Sequence, residues 1–171
     1  MSFLLFLLVA SLLAYVPQYF LGDRRDHRMA MRHGLALALI FTGVDHFVHP
    51  VSRYVPMIPD AISSVALELV YFTGAAELLG TAGLLVPVSL YRRLGLPDLQ
   101  RAAGVALAAM FALLIVANIN VALKGTGVDG LDFGRAYFIV RPLFQPVFIA
   151  WALYCVGVQV LPRRRRVASA A

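Results

Sequence analysis

From Ala102 to Leu123 no side chain carries a charge. A helix needs ~20 predominantly apolar residues to cross the hydrocarbon core of a bilayer, so this run alone restricts what the chain can fold into. Four further segments have the same character. Phe3 to Leu21 is uncharged. The stretch between Arg32 and Arg53 is apolar from Leu35 to Val44 and then polar at Asp45, His46 and His49. Ala61 to Tyr91 is interrupted only by Glu68 and Glu77, and Ala136 to Leu161 only by Arg141. The 171 residues are 61% hydrophobic and 14% charged, against about 45–50% and about 25% in a soluble domain. The expectation is an all-α, polytopic transmembrane bundle of five helices forming one membrane domain, a multi-pass protein of the cell membrane.

Basic residues fix an expected orientation. Arginines cluster in the first connection (Arg24, Arg25, Arg28, Arg32), the third (Arg92, Arg93, Arg101) and the tail (Arg163 to Arg166). The other side holds Arg53, Lys124 and Arg135. With five spans the positive-inside rule then gives N-out and C-in. The first run has no Lys or Arg before it and Gly22-Asp23-Arg24-Arg25 after it, which reads as a retained helix rather than a cleaved signal peptide. The tail, residues 162–171, reads as a basic cytoplasmic anchor in contact with anionic lipid.

The net charge of +6 and pI of about 10.0 raise nucleic-acid binding. The basic residues, however, sit in short clusters between apolar runs, as juxtamembrane anchors do, and that reading is excluded. Cys155 is the only cysteine, so no intrachain disulfide, redox pair or cysteine metal cage can form. Gly125-Thr126-Gly127-Val128-Asp129-Gly130 spells a dinucleotide fingerprint. That motif works between a strand and a helix; here it follows an apolar helix and reads as a loop. The proline-rich connection Pro50 to Pro59 is expected along the interface, with Asp60 capping the third helix.

Ionisable groups inside a bilayer are costly and mark sites of pairing or function. Counted at ~1.5 Å per residue from each segment's centre, His46, Glu68, Asn118 and Arg141 fall roughly 9–12 Å outside the midplane. Glu77 and Gln145 lie deeper. Polar groups from four helices thus gather in the outward half. Asp45, His46 and His49 are spaced to crowd one side of the second helix, and Arg141 and Gln145 share a face of the last. Glu68 and Glu77 are about 180° apart around their helix. Glu77, flanked by the small residues Gly74, Ala76 and Gly80, is expected to face inward, and Glu68 to reach toward the outer interface; the candidate polar pocket thus draws on His46, Glu77, Asn118, Arg141, Gln145, Asp45, His49 and Glu68. Plainer roles stand beside these: an ion pair of Arg141 with either glutamate, histidines bonded to loop carbonyls, Asn118 and Asn120 as interhelical glue, Cys155 as a buried hydrophobe. A metal held by Asp45, His46, His49 and a glutamate is a weak alternative, and no metal site is assigned.

Four stretches then carry a resemblance. Phe41-Thr42-Gly43-Val44-Asp45-His46-Phe47-Val48-His49-Pro50 resembles the G-x-x-H-F-x-x-P end of the first core helix in DoxX-like integral membrane proteins. Tyr71 to Leu78 resembles that family's s-G-x-x-E helix, and Ala117-Asn118-Ile119 its P-A-N-I turn without the proline. Arg141-Pro142-Leu143-Phe144-Gln145 with Trp151 resembles its R-x-P-x-Q … W closing helix. The match spans roughly residues 33–161, so the resemblance implies a four-helix core with residues 1–22 as an added N-terminal helix. The family's recurrent polar positions correspond to His46, Glu77, Asn118, Arg141 and Gln145. Asp45 and His49 depart from its pattern, and relatives with paired cysteines have no counterpart here.

Some relatives are linked to quinone-coupled sulfur oxidation or to membrane complexes that resist oxidative stress. The resemblance therefore implies a redox-associated subunit binding a quinone or similar lipophile in the outward pocket. Arg141, Gln145 and Asn118 would hold head-group oxygens. Glu77 and His46, the two groups of the set able to exchange protons near neutrality, would carry protons. No flavin, haem or iron–sulfur motif is evident, so electrons would come from a redox protein partner. Two other readings stay open: a non-enzymatic lipophile binder, sensor or transporter, and a structural or assembly subunit. The alanine-rich segment from Ala102 to Ala109 could pack within one chain or between copies in an oligomer.

Overall fold

The computed structural model describes residues 3–21, 26–124 and 139–159. All regular structure among them is helical. Helix α1 covers Phe3–Leu21 and α2 His27–Val48; α3 covers Ala66–Leu85, the short α4 Val88–Arg93, α5 Leu99–Lys124 and α6 Gln145–Cys155. The Gly125–Gly130 loop, Arg24, Arg25, Arg135 and the arginine tail lie outside the described residues.

Local chemistry sets the helix ends. Asp26 caps α2 by accepting from Met29 N at 3.1 Å, and Asp98 likewise accepts from Arg101 N at the start of α5. Proline ends both α2 and α3. A residue before proline is driven out of the α region, and His49 before Pro50 (φ −128°, ψ 46°) and Val86 before Pro87 (φ −66°, ψ 124°) both leave it. Beyond His49 the chain makes a π turn, Pro50–Tyr54, and a 3-10 turn, Val55–Met57, bent 104° from α2. Helix α4 closes on Gly95 at φ +67°, a left-handed C-terminal position glycine adopts without strain.

The expected capping of the third helix by Asp60 is corrected. Asp60 begins a separate 3-10 segment, Asp60–Val65, and its Oδ1 accepts from Lys124 Nζ at 2.6 Å. Ile62, at φ −126° and ψ 21°, breaks that segment before α3 begins at Ala66.

Three units are long and apolar enough to cross a membrane: Phe3–Phe20, Asp60–Leu85 and Leu99–Lys124. Helix α2 and the turn after it make a fourth if the bent pair counts as one span. The described α6, at 11 residues, is about 16 Å long, roughly half a hydrocarbon core. Large apolar side chains cover the outside of the bundle, among them Phe20 at 76%, Leu79 at 74%, Leu113 at 75% and Leu123 at 79% exposed. Apolar exposure on that scale belongs to a protein solvated by lipid, since soluble monomers keep such patches small.

Helices α2, α3, α5 and α6 pack in a ring, each against the next and α6 back against α2, and α1 lies along α2. Inside a bilayer, apolar burial gives helices little reason to associate, so close van der Waals approach has to hold them. Glycine supplies it here. A Cβ on Gly74 would meet the Cβ of His46 at 2.6 Å, and one on Gly80 would meet the Leu107 side chain at 2.6 Å. Gly34 lies against Ser11 of α1 just as tightly. One half of the bundle is packed with Leu7, Leu35, Leu39, Leu84, Leu107, Ala152 and Cys155. Cys155 is 1% exposed there, a small buried hydrophobe. At that end Gln100 Nε2 ties α5 to the end of α3 through the carbonyls of Leu84 (2.8 Å) and Val86 (3.2 Å). His46, Glu77, Asn118 and Gln145, also buried, lie together elsewhere in the bundle.

Candidate functional site

A cavity of about 110 Å³ lies where α2, α3, α5 and the start of α6 converge. Five side chains singled out from the sequence line it: His46, Glu77, Asn118, Arg141 and Gln145. The turn after α2 adds Tyr54 and Met57, and Thr42 sits one helical turn before His46. The remaining wall is apolar, made of Leu4, Leu114, Ala117 and four phenylalanines. Phe3 of α1 packs edge-on to Phe148 with centroids 4.9 Å apart, and lies 6.1 Å from Phe111; all three line the cavity.

Glu77 is buried at 4% exposure. Its Oε2 accepts from Thr42 Oγ1 at 2.6 Å, and the same hydroxyl lies 3.2 Å from Ala38 O. One hydroxyl proton faces two acceptors, so the carboxyl can meet Thr42 as an acceptor or, carrying a proton, as a donor. The contact accommodates both charge states. His46 Nδ1 is 2.7 Å from Thr42 O and 3.9 Å from Glu77 Oε2. A carbonyl only accepts, so Nδ1 carries the hydrogen and Nε2 is the acceptor of the neutral ring.

Asn118 Nδ2 donates to Leu114 O at 2.9 Å within α5. Its Oδ1, like Gln145 Oε1, is buried and accepts no hydrogen bond from the described residues. Buried polar atoms are ordinarily paired, and such exceptions call for an explanation. Asn120 is different: its Nδ2 donates to Met57 O at 3.1 Å, tying α5 to the turn after α2. That is the glue role expected of it.

The acidic and imidazole groups at the end of α2 do not act as one cluster. His46 lines the cavity, whereas Asp45 and His49 do not. Asp45 accepts from both His49 Nδ1 (2.8 Å) and Tyr54 Oη (3.0 Å), and from Arg53 Nη1 at 2.7 and 2.8 Å. Among the described residues no three His, Cys, Asp or Glu side chains are arranged to hold a metal. Glu68, a candidate for the polar pocket together with Asp45 and His49, is instead exposed in the first turn of α3, and none of the three lines the cavity.

Tyr54 links the two groups. Its ring stacks on His46 with centroids 3.7 Å apart while its hydroxyl reaches Asp45. Sequence reading did not single out Tyr54, Thr42, Met57 or Phe3. Thr42 had a usable signal, its i,i+4 spacing to His46. Tyr54 had none, because its position follows from the bend after Val48. Trp151, whose Nε1 donates to Met31 O at 3.1 Å, joins α6 to α2 and is absent from the cavity lining.

The chain matches the family model described as "Domain of unknown function (DUF8561)" over residues 35–156. No curated protein and no solved structure matches it. The matched segment runs from the middle of α2 to the end of α6. It contains all the polar residues of the cavity and leaves Phe3 and Leu4, which also line it, outside. Matched over most of its length, the chain belongs to the DUF8561 family.

Proposed function

We propose that this protein is a DoxX-like, redox-associated subunit of the cell membrane that binds the ring of a quinone or a similar lipophile in the cavity of its outward half. In this reading it spans the membrane five times, N-out and C-in. The observation that carries the proposal is a cavity whose lining combines two chemically distinct sets of side chains. Phe3, Phe111, Phe144 and Phe148 offer a wall for a flat apolar ring, and Glu77, Asn118, Arg141 and Gln145 offer polar contacts for substituents on it. Ligand sites are commonly apolar with a few convergent polar groups.

Size supports a ring and no more. An apolar cavity of about 150 Å³ holds benzene, so about 110 Å³ fits a single ring with modest rearrangement. A quinone's isoprenoid tail would remain in lipid. Glu77 and His46, 3.9 Å apart, would exchange the protons that accompany reduction or oxidation of the ring, and a redox protein partner would exchange the electrons.

The test is mass spectrometry of small molecules extracted from protein purified in mild detergent, beside a Glu77→Gln, Arg141→Ala variant. A quinone enriched in the wild type and lost from a folded variant is the expected result. A different lipophile with the same pattern would replace redox association with a carrier or sensor role. Equal emptiness of both samples would leave the polar cluster a structural lock and overturn the proposal.

A further inference from the structure

The two unpaired amide oxygens bear on which redox form the cavity favours. Asn118 and Gln145 are 3% and 5% exposed, and both line the cavity. The orientation of Asn118 is fixed, because the amide nitrogen is the group able to donate to Leu114 O. Its Oδ1 is therefore an acceptor in want of a donor. Gln145 presents Oε1 in the same condition. Turning its amide over would present an NH2 group instead. A hydroxyl, both donor and acceptor, meets either arrangement and can still accept from Arg141 in the same lining, whereas a quinone carbonyl meets Arg141 and only the second arrangement, and opposes Asn118 Oδ1 in both.

We infer that the cavity takes a ring in its hydroxyl-bearing, reduced form, a quinol-type diol or phenol whose O–H groups donate to Asn118 Oδ1 and Gln145 Oε1. The inference rests on the ring-binding reading and deepens it by naming the oxidation state bound. It also accounts for two buried acceptors that nothing else in the described structure satisfies. Binding involves no bond making, so no co-reactant is required.

The test uses the full chain in lipid nanodiscs and three rings of nearly identical shape: hydroquinone, p-cresol and p-xylene, with two, one and no hydroxyls. Binding is measured by equilibrium dialysis and referenced to partitioning into empty nanodiscs, which removes differences in lipid solubility. Affinity is expected to rise roughly fivefold with each hydroxyl. A short-tailed ubiquinone should bind more tightly reduced than oxidised. Asn118→Leu with Gln145→Leu should erase the order of the three rings. The wild-type series decides the matter even if that variant fails to fold. Equal binding of the three rings, or tighter binding of the oxidised ubiquinone, would overturn the inference and leave the ring-binding reading standing. Binding of none of them would overturn both.

Discussion

The imidazole of His46 lies against the phenol of Tyr54, their centroids 3.7 Å apart and their planes 24° from parallel. The contact joins a helix to the turn that leaves it at 104°, so it fixes where the turn lies as much as where the imidazole points. Tyr54→Phe keeps the ring and loses only the hydrogen bond to Asp45, and should cost about 1–2 kcal/mol. Tyr54→Leu also loses the aromatic contact, worth about 0.5–1.5 kcal/mol more. Thermal unfolding in detergent measures both. Equal losses for the two variants would show that the stacking contributes nothing.

Two ion pairs of similar length should differ in worth. Arg53 meets Asp45 at 2.7 Å and Lys124 meets Asp60 at 2.6 Å. The Asp45 side chain is 14% exposed and that of Asp60 86%. Asp45 also gathers His49 and Tyr54, whereas Asp60 holds one flexible lysine in high dielectric. Asp45→Asn is expected to destabilise by roughly 1–3 kcal/mol, and Asp60→Asn by less than about 0.5 kcal/mol. The same unfolding assay separates them, and comparable losses would contradict the ranking.

Gly74 sets how closely α2 and α3 approach around the site. Gly74→Ala would bring its new methyl against the Cβ of His46 at 2.6 Å and the Gly43 carbonyl at 3.1 Å. Neither can swing away, so the helices must part, at a cost of about 1–3 kcal/mol. Ring binding should weaken with it, because Glu77 and His46 sit on the two helices that separate. Ala82→Leu, on the exposed face of α3, is the control and should be nearly neutral.

What could be read from residues alone follows from what periodicity encodes. The uncharged run at Phe3–Leu21 coincides with α1, and the stretch from Ala102 to Leu123 lies within α5, because apolar length alone specifies such helices. Burial of Glu77 and exposure of Glu68 followed from their angular separation on one helix. Depth alone grouped His46, Asn118 and Arg141 with Glu68 and set Glu77 and Gln145 deeper; the five that share the cavity are the recurrent polar positions the resemblance implied. The bend after Val48 was not legible, nor was the division of Asp45 and His49 from His46. Both depend on where the Pro50–Met57 turn lands, a tertiary outcome. The third apolar run, Ala61–Tyr91, hid a 3-10 segment and a short fourth helix, because hydropathy does not register a change of helical geometry.

Glu77→Gln tests the proton role while sparing the fold. The glutamine carbonyl can still accept from Thr42 Oγ1, so stability should change by less than about 1 kcal/mol and ring binding should persist. Proton-coupled turnover with a redox partner should fall by at least about 100-fold, the range typical of losing a general acid or base. Unchanged turnover would remove Glu77 from proton transfer. Loss of the fold in this near-isosteric variant would make it a structural residue.

Phe3 brings α1, outside the DUF8561 match, into the cavity wall. Its ring packs edge-on to Phe148 at 4.9 Å, and the half-buried position makes Phe3→Ala cost about 2–3 kcal/mol, below the loss at a fully buried site. The more informative effect is on size. Removing a phenyl group from the wall of a cavity of about 110 Å³ adds space comparable to a second ring. The variant should therefore accept a bicyclic naphthol-type ring that the wild type excludes, with single-ring binding weakened several-fold. Dialysis of both proteins against one-ring and two-ring phenols gives the comparison. If both exclude the larger ring, or both admit it, then α1 does not set the dimensions of the site, and selectivity must lie wholly within the segment this chain shares with its family.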